Sequence, residues 1–106
     1  MISRPESLTK TIRTGIAEMF GVDREEIAIT RNASESLEIL LMGMDLKSGD
    51  EILTTTQDYP RMITTFRQME RRLGIKLVQI KLPIPCEDPS VVVREFERAM
   101  TDRTRL

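Results

Sequence analysis

Apolar residues recur at three- and four-residue steps through Leu8, Ile12, Ile16, Met19 and Phe20, a period that predicts a first amphipathic helix. Ser3 with Glu6 fits a capping box at its start, and Gly21 stands where a left-handed residue closes a helix. The short β-prone run Ile27-Ala28-Ile29-Thr30 follows, then a second helical stripe at Leu37, Leu40, Leu41 and Met44. Lys47-Ser48-Gly49-Asp50 predicts a turn into the β-prone run Glu51-Ile52-Leu53-Thr54-Thr55. Pro60 opens a third helix that carries Met62, Phe66, Met69 and Leu73 inward, and Gly74 stops it. Ile75 to Ile80 reads as a third strand, and Val92, Phe96, Ala99 and Met100 mark a last helix begun at Asp88-Pro89.

Helices and strands alternating at this spacing require crossover connections, so the expected fold class is α/β with a mainly parallel sheet covered by helices. A length of 106 residues fits one domain with a modest core. Ligands of such sheets bind outside the carboxyl ends of the strands, which directs attention to the segments after Thr30 and after Thr55.

Composition narrows the chemistry. There is no histidine and one cysteine, which removes the usual general base of hydrolytic triads and any thiolate cluster for zinc; no metal site is expected. Cys86, in the Pro-rich stretch Pro83 to Pro89, reads as an incidental reduced thiol. Neither the Walker phosphate loop nor the dinucleotide glycine fingerprint occurs among the five glycines, so chemistry has to come from a cofactor of another kind. Sixteen basic residues against seventeen acidic ones argue against nucleic acid as a partner, and no apolar stretch reaches the ~20 residues of a bilayer span. A soluble, cytoplasmic protein is expected.

After the first predicted strand, Asn32 can cap the next helix while Glu35 returns a bond to the Asn32 amide. The same helix start offers free N–H groups and a positive dipole end to a phosphate, with the Ser34 hydroxyl beside them. After the second strand stands Tyr59, the chain's one tyrosine, placed either to staple the start of the next helix or to lie against an aromatic ligand. On one edge of a parallel sheet the two loops would share a crevice.

Three ordered segments resemble consecutive motifs of the class V aminotransferase family, in particular its isopenicillin-N-epimerase-like branch. They are Thr30-Arg31-Asn32-Ala33-Ser34-Glu35, Leu46-Lys47-Ser48-Gly49-Asp50-Glu51 and Gln57-Asp58-Tyr59-Pro60. The similarity runs from about Arg13 to Leu106. It implies a pyridoxal 5′-phosphate cofactor, held at its phosphate by Asn32, Ala33 and Ser34 and stacked by Tyr59, in a homodimeric enzyme acting on an amino acid. It implies a partial three-layer α/β/α domain, residues 1–106 forming part of the cofactor-binding large domain. In the family the lysine that carries the cofactor and the aspartate that pairs with its pyridine nitrogen come later. None of Lys10, Lys47, Lys76 and Lys81 matches that lysine's motif, so no catalytic residue is expected here, and the chain is expected to be a piece cut at both ends. The resemblance also implies that the second and third strands pair in parallel while Ile27 to Thr30 has no neighbour within the chain. Transamination, epimerisation, C–S cleavage and desulfuration all stay open, as does a non-catalytic remnant or small α/β interaction module.

Overall fold

The computed structural model describes residues 6–106, which form two compact units divided after Met42. A single unit was expected from length; the division falls just before Gly43, the last residue of the second helix, ahead of the turn that opens the sheet.

In the first unit, helix α1 spans Glu6–Phe20 and helix α2 spans Ala33–Gly43. The proposed Ser3 cap lies outside the described residues. Gly21 closes α1 at φ 66°, a left-handed conformation that costs glycine nothing, and the Val22 amide reaches back to the Ala17 carbonyl at 3.1 Å. The apolar stripe of α1 is only partly covered: Ala17 is buried, whereas Met19 and Phe20 at its end are 79% and 71% exposed. A 3-10 turn at Arg24–Glu26 follows, closed by a reciprocal cap. Asp23 Oδ1 accepts the Glu25 amide at 2.8 Å and Glu26 Oε2 accepts the Asp23 amide at 2.8 Å. Arg13 ties α1 to this turn, donating to the Arg24 carbonyl at 3.0 and 2.7 Å and to Glu25 Oε2 at 3.1 Å.

The run Ile27 to Thr30 is not a strand, contrary to the sequence expectation. Ile27 is extended at φ −96°, ψ 116°, but a strand exists only as a member of a ladder, and no partner pairs with this run among the described residues. The lack of a neighbour was itself expected. On α2 only Leu41 is buried, and Leu40, expected inward, is 66% exposed.

The second unit, Gly43–Leu106, holds the sheet. Strands β1 (Glu51–Thr55) and β2 (Lys76–Ile80) pair in parallel, in register from Glu51 opposite Lys76 to Thr55 opposite Ile80, as expected. Helix α3 (Pro60–Leu73) makes the crossover, and helix α4 (Pro89–Ala99) follows β2. Both helices pack on β2, giving an α/β unit with parallel strands.

The core is built from Ile52 of β1, Met62, Phe66 and Met69 of α3, and Ile75. Those three α3 residues recur at four- and three-residue steps, so they share one face of the helix. Leu73, expected with them, is 44% exposed because it lies in the last turn, where Gly74 turns the chain away at φ 71°. A Cβ on Gly74 would meet Ser48 Oγ at 2.7 Å, so the close approach of these two turns also depends on glycine.

Beyond α4 the chain returns to β1 on the edge away from β2. Glu51 and Thr104 form a parallel bridge, Glu51 N donates to the Arg103 carbonyl at 2.8 Å, and Leu53 N donates to the Leu106 carbonyl at 2.7 Å. The buried Glu51 carboxylate secures this end of the sheet, accepting Thr101 Oγ1 at 2.7 Å and facing Lys76 Nζ and Arg103 Nη2 at 3.3 Å each. The Thr101 hydrogen bond first, then the two cations, hold its carboxyl below the usual glutamate range against the opposing effect of burial.

Candidate functional site

The start of α2 is organised by Asn32. Its Oδ1 accepts the amide of Glu35 at 2.9 Å, the expected cap. The return bond differs from expectation by one residue: Glu35 Oε2 accepts the Arg31 amide at 2.7 Å rather than that of Asn32. Glu35 Oε1 also holds the Arg31 guanidinium at 2.9 Å. That hydrogen bond lowers the Glu35 pKa and raises that of Arg31, so both remain charged and their charges offset each other beside the helix end.

Thr30 and Ser36 complete the frame, their hydroxyls 2.6 Å apart, with Thr30 Oγ1 also donating to the Asn32 carbonyl at 3.1 Å. Ser36 is thereby engaged and Ser34 is not. The amides of Ala33 and Ser34 are the first two of α2, positions with no intrahelical acceptor. Among the described residues no hydrogen bond is recorded for either amide or for Ser34 Oγ. The Asn32 side-chain oxygen is spent on the cap, which leaves its amide nitrogen to a ligand.

Two backbone amides, a hydroxyl and a side-chain amide at the positive end of a helix fit the phosphate of a cofactor. The adjacent carboxylate does not spoil this fit, because Arg31 neutralises it. Asn32, Ala33 and Ser34 stand together at this one helix start.

Tyr59 belongs to the second unit and stands at the carboxyl end of β1, as expected. It is the N-cap residue of α3, with its carbonyl accepting from Met62 N at 2.9 Å and Ile63 N at 3.2 Å. Its side chain makes no capping bond, and the residue is 50% exposed. Pro60 at the first helical turn needs no donor partner, so the turn costs no backbone hydrogen bond.

The residue that sets the backbone here, Asp58, was missed by the sequence reading. Its Oδ1 accepts the Tyr59 amide at 2.6 Å, its Oδ2 is hydrogen-bonded by Thr54 Oγ1, and its own amide reaches the Thr55 carbonyl at 3.3 Å. Gln57 Nε2 ties the same loop to the Leu82 carbonyl at 3.1 Å. The signal in the sequence was an Asp directly before an aromatic-Pro pair, with a threonine four residues earlier on the strand.

Among the described residues no group of three or more Cys, Asp or Glu is arranged to hold a metal ion, and Cys86 is free and exposed. No helix among them is long and apolar enough to cross a membrane.

The aminotransferase class-V family model matches residues 3–106. Isopenicillin N epimerase of Streptomyces clavuligerus is 28% identical over 94 residues, covering 89% of this chain and 24% of its own length. Cysteine desulfurase IscS of Proteus mirabilis is 32% identical over 97 residues, covering 89% of this chain and 23% of its own. Among solved structures, the cystine C-S lyase C-DES in complex with its reaction product cysteine persulfide superposes with a TM-score of 0.78 at 28% identity, over 94% of this chain and 26% of that one. The apo cysteine desulfurase of Thermococcus onnurineus gives 0.69 at 26% identity, over 93% and 26%. The chain thus spans about a quarter of the length of the relatives it matches. With the family model covering nearly its whole length, this chain belongs to the class V aminotransferase family.

Proposed function

We propose that this chain supplies the phosphate anchor and one ring-stacking residue of a pyridoxal 5′-phosphate enzyme that acts on an amino acid. The observation that carries the proposal is the start of α2, where the Ala33 and Ser34 amides and the Ser34 hydroxyl are left unused beside a neutralised carboxylate. Each hydrogen bond to a charged phosphate contributes on the order of 1.5–3 kcal/mol, so these donors with the Asn32 amide nitrogen are enough to hold the cofactor by that group. Tyr59, half exposed at the carboxyl end of β1, supplies the stacking face, for about 0.5–1.5 kcal/mol beyond area burial.

When bound, pyridoxal phosphate supplies an electron sink for a bond broken at the substrate's Cα. The chain's own residues bind and orient: Asn32, Ala33 and Ser34 fix the phosphate, Arg31 keeps Glu35 from repelling it, and Asp58 fixes the backbone from which Tyr59 projects. The names of the desulfurases and of the lyase point to cysteine and cystine, which supports an amino acid as the substrate class. On this reading residues 1–106 are part of the cofactor-binding large domain of a cytoplasmic homodimer, with the lysine and aspartate of the family's chemistry supplied from elsewhere.

The test uses pyridoxine 5′-phosphate, which lacks the aldehyde and so cannot react with lysines. Titrated into the isotope-labelled chain, it is expected to shift the Ala33 and Ser34 amide resonances at millimolar concentration and to quench the single tyrosine. Ser34→Ala is expected to weaken this about tenfold, the equivalent of ~1.4 kcal/mol. Unmoved amides at Ala33 and Ser34, or equal affinity in Ser34→Ala, would remove the phosphate site from this helix.

A further inference from the structure

Arginines outside α3 are uniformly ion-paired among the described residues. Arg13 and Arg24 face Glu25, Arg31 faces Glu35, and Arg94 and Arg98 face Asp88 and Glu95. Arg103 faces Glu51 and Arg105 faces Asp50. Among the described residues none of the four on α3, Arg61, Arg67, Arg71 and Arg72, pairs with a carboxylate. All four are exposed.

Their positions place them together. Successive helical residues turn by about 100°, so Arg61, Arg67, Arg71 and Arg72 fall on one arc of roughly 140°, opposite the buried Met62, Phe66 and Met69. Thr64 and Gln68 fill the arc between them. The one acidic residue of α3, Glu70, lies off that face, where its Oε1 accepts the Leu77 amide at 2.6 Å. The four guanidinium groups therefore form an all-cationic strip of about 16 Å on a chain whose net charge is −1. Arg67 and Arg71, four apart, repel each other, so the fold gains no stability from the arrangement.

We propose that the solvent face of α3 is a docking surface for an acidic polypeptide segment, its carboxylates paired with Arg61, Arg67, Arg71 and Arg72. The strip is too long for one small anion to touch all four groups, and apart from Pro60 at its start it holds no apolar residue, so it has no apolar face to enter a membrane. The near balance of charge over the whole chain gives no field for a nucleic acid, whereas a short segment with several carboxylates matches both the length of the strip and its sign. Arginine suits this use because its planar fork takes a carboxylate in two parallel bonds.

The experiment measures binding of a fluorescently labelled Glu-rich peptide of about 14 residues, the length of α3. Saturable one-to-one binding that weakens with salt is expected. Arg67→Gln/Arg71→Gln should weaken it about tenfold or more, and Arg94→Gln/Arg98→Gln, with the same loss of charge on α4, should change it less than twofold. Absence of binding, or equal weakening in the two double variants, would overturn the proposal. So would tighter binding of an oligonucleotide of the same charge, or a self-association of the chain that Arg67→Gln/Arg71→Gln abolishes, since the face would then serve nucleic acid or a second copy. Circular dichroism of each variant confirms that the helices persist.

Discussion

Asp58 and Tyr59 are joined by a 2.6 Å bond from the Tyr59 amide to Asp58 Oδ1, while the other carboxylate oxygen is held by the Thr54 hydroxyl at the end of β1. The strand thus sets the backbone conformation of the one aromatic residue at the start of α3.

The first prediction follows from that relation. The chain has one tyrosine and no tryptophan, so its intrinsic fluorescence reports Tyr59 alone. Asp58→Ala removes both bonds and should increase the rapid motion of the ring, seen as faster anisotropy decay, at a stability cost of about 1–3 kcal/mol. Thr54→Val should produce a smaller change in the same direction. Unaltered anisotropy in Asp58→Ala would show that Pro60 alone orders this turn.

Glu51 carries the second prediction. Its folded-state pKa is lowered, chiefly by the Thr101 hydroxyl and then by Lys76 and Arg103. A depressed carboxylate contributes stability that is present above its ordinary value of 4.5 and is lost as pH falls through the folded value. Acidification below 4.5 should therefore release the C-terminal segment before β1 parts from β2. Hydrogen exchange at Leu53 and Arg105, whose amides bond Leu106 and Glu51, is the readout. In Glu51→Gln the acid dependence of exchange at these two amides should disappear.

The third concerns the core of the second unit. Phe66 is buried against the sheet, and Phe66→Ala should cost about 3–5 kcal/mol. That is a large share of the stability available to so small a unit, so cooperative thermal unfolding should be lost. Arg67→Gln, one residue on and exposed, should leave the melting temperature within a few degrees.

Gly74 supplies a fourth. Gly74→Ala places a side chain at φ 71° and drives its Cβ to 2.7 Å from Ser48 Oγ. The left-handed conformation alone costs roughly 1–2 kcal/mol. Adding Ser48→Ala should recover the part due to the contact and leave the part due to φ, a partition that the melting temperatures of the single and double variants measure.

Much of this fold was legible in the chain itself. Helix α3 was marked at both ends by Pro60 and Gly74 and along its length by Met62, Phe66 and Met69, because fixed φ, left-handed φ and helical period are local properties. The same holds for the Asn32 cap and the Asp88-Pro89 start of α4, where Asp88 accepts the Ser90 amide at 2.9 Å. The alternation of elements implied parallel strands, and β1 and β2 pair so. Asp23 and Glu26, a cap spaced three apart, were equally readable and were passed over.

Tertiary structure alone decided the rest. Ile27 to Thr30 has the composition of a strand but none of its hydrogen bonds, since a ladder depends on a partner and not on propensity. Glu51 looked like the polar first residue of a strand, yet it is 1% exposed, because Lys76, Thr101 and Arg103 converge on it from 25 to 52 positions away. The arginines of α3 are unremarkable in a charge count. They become a surface only when the burial of Met62, Phe66 and Met69 fixes which side of the helix faces water, and when every other described arginine has found its carboxylate. Local chemistry sets the elements and their ends, whereas pairing, burial and unspent charge are relations between distant residues that exist only once the chain is folded.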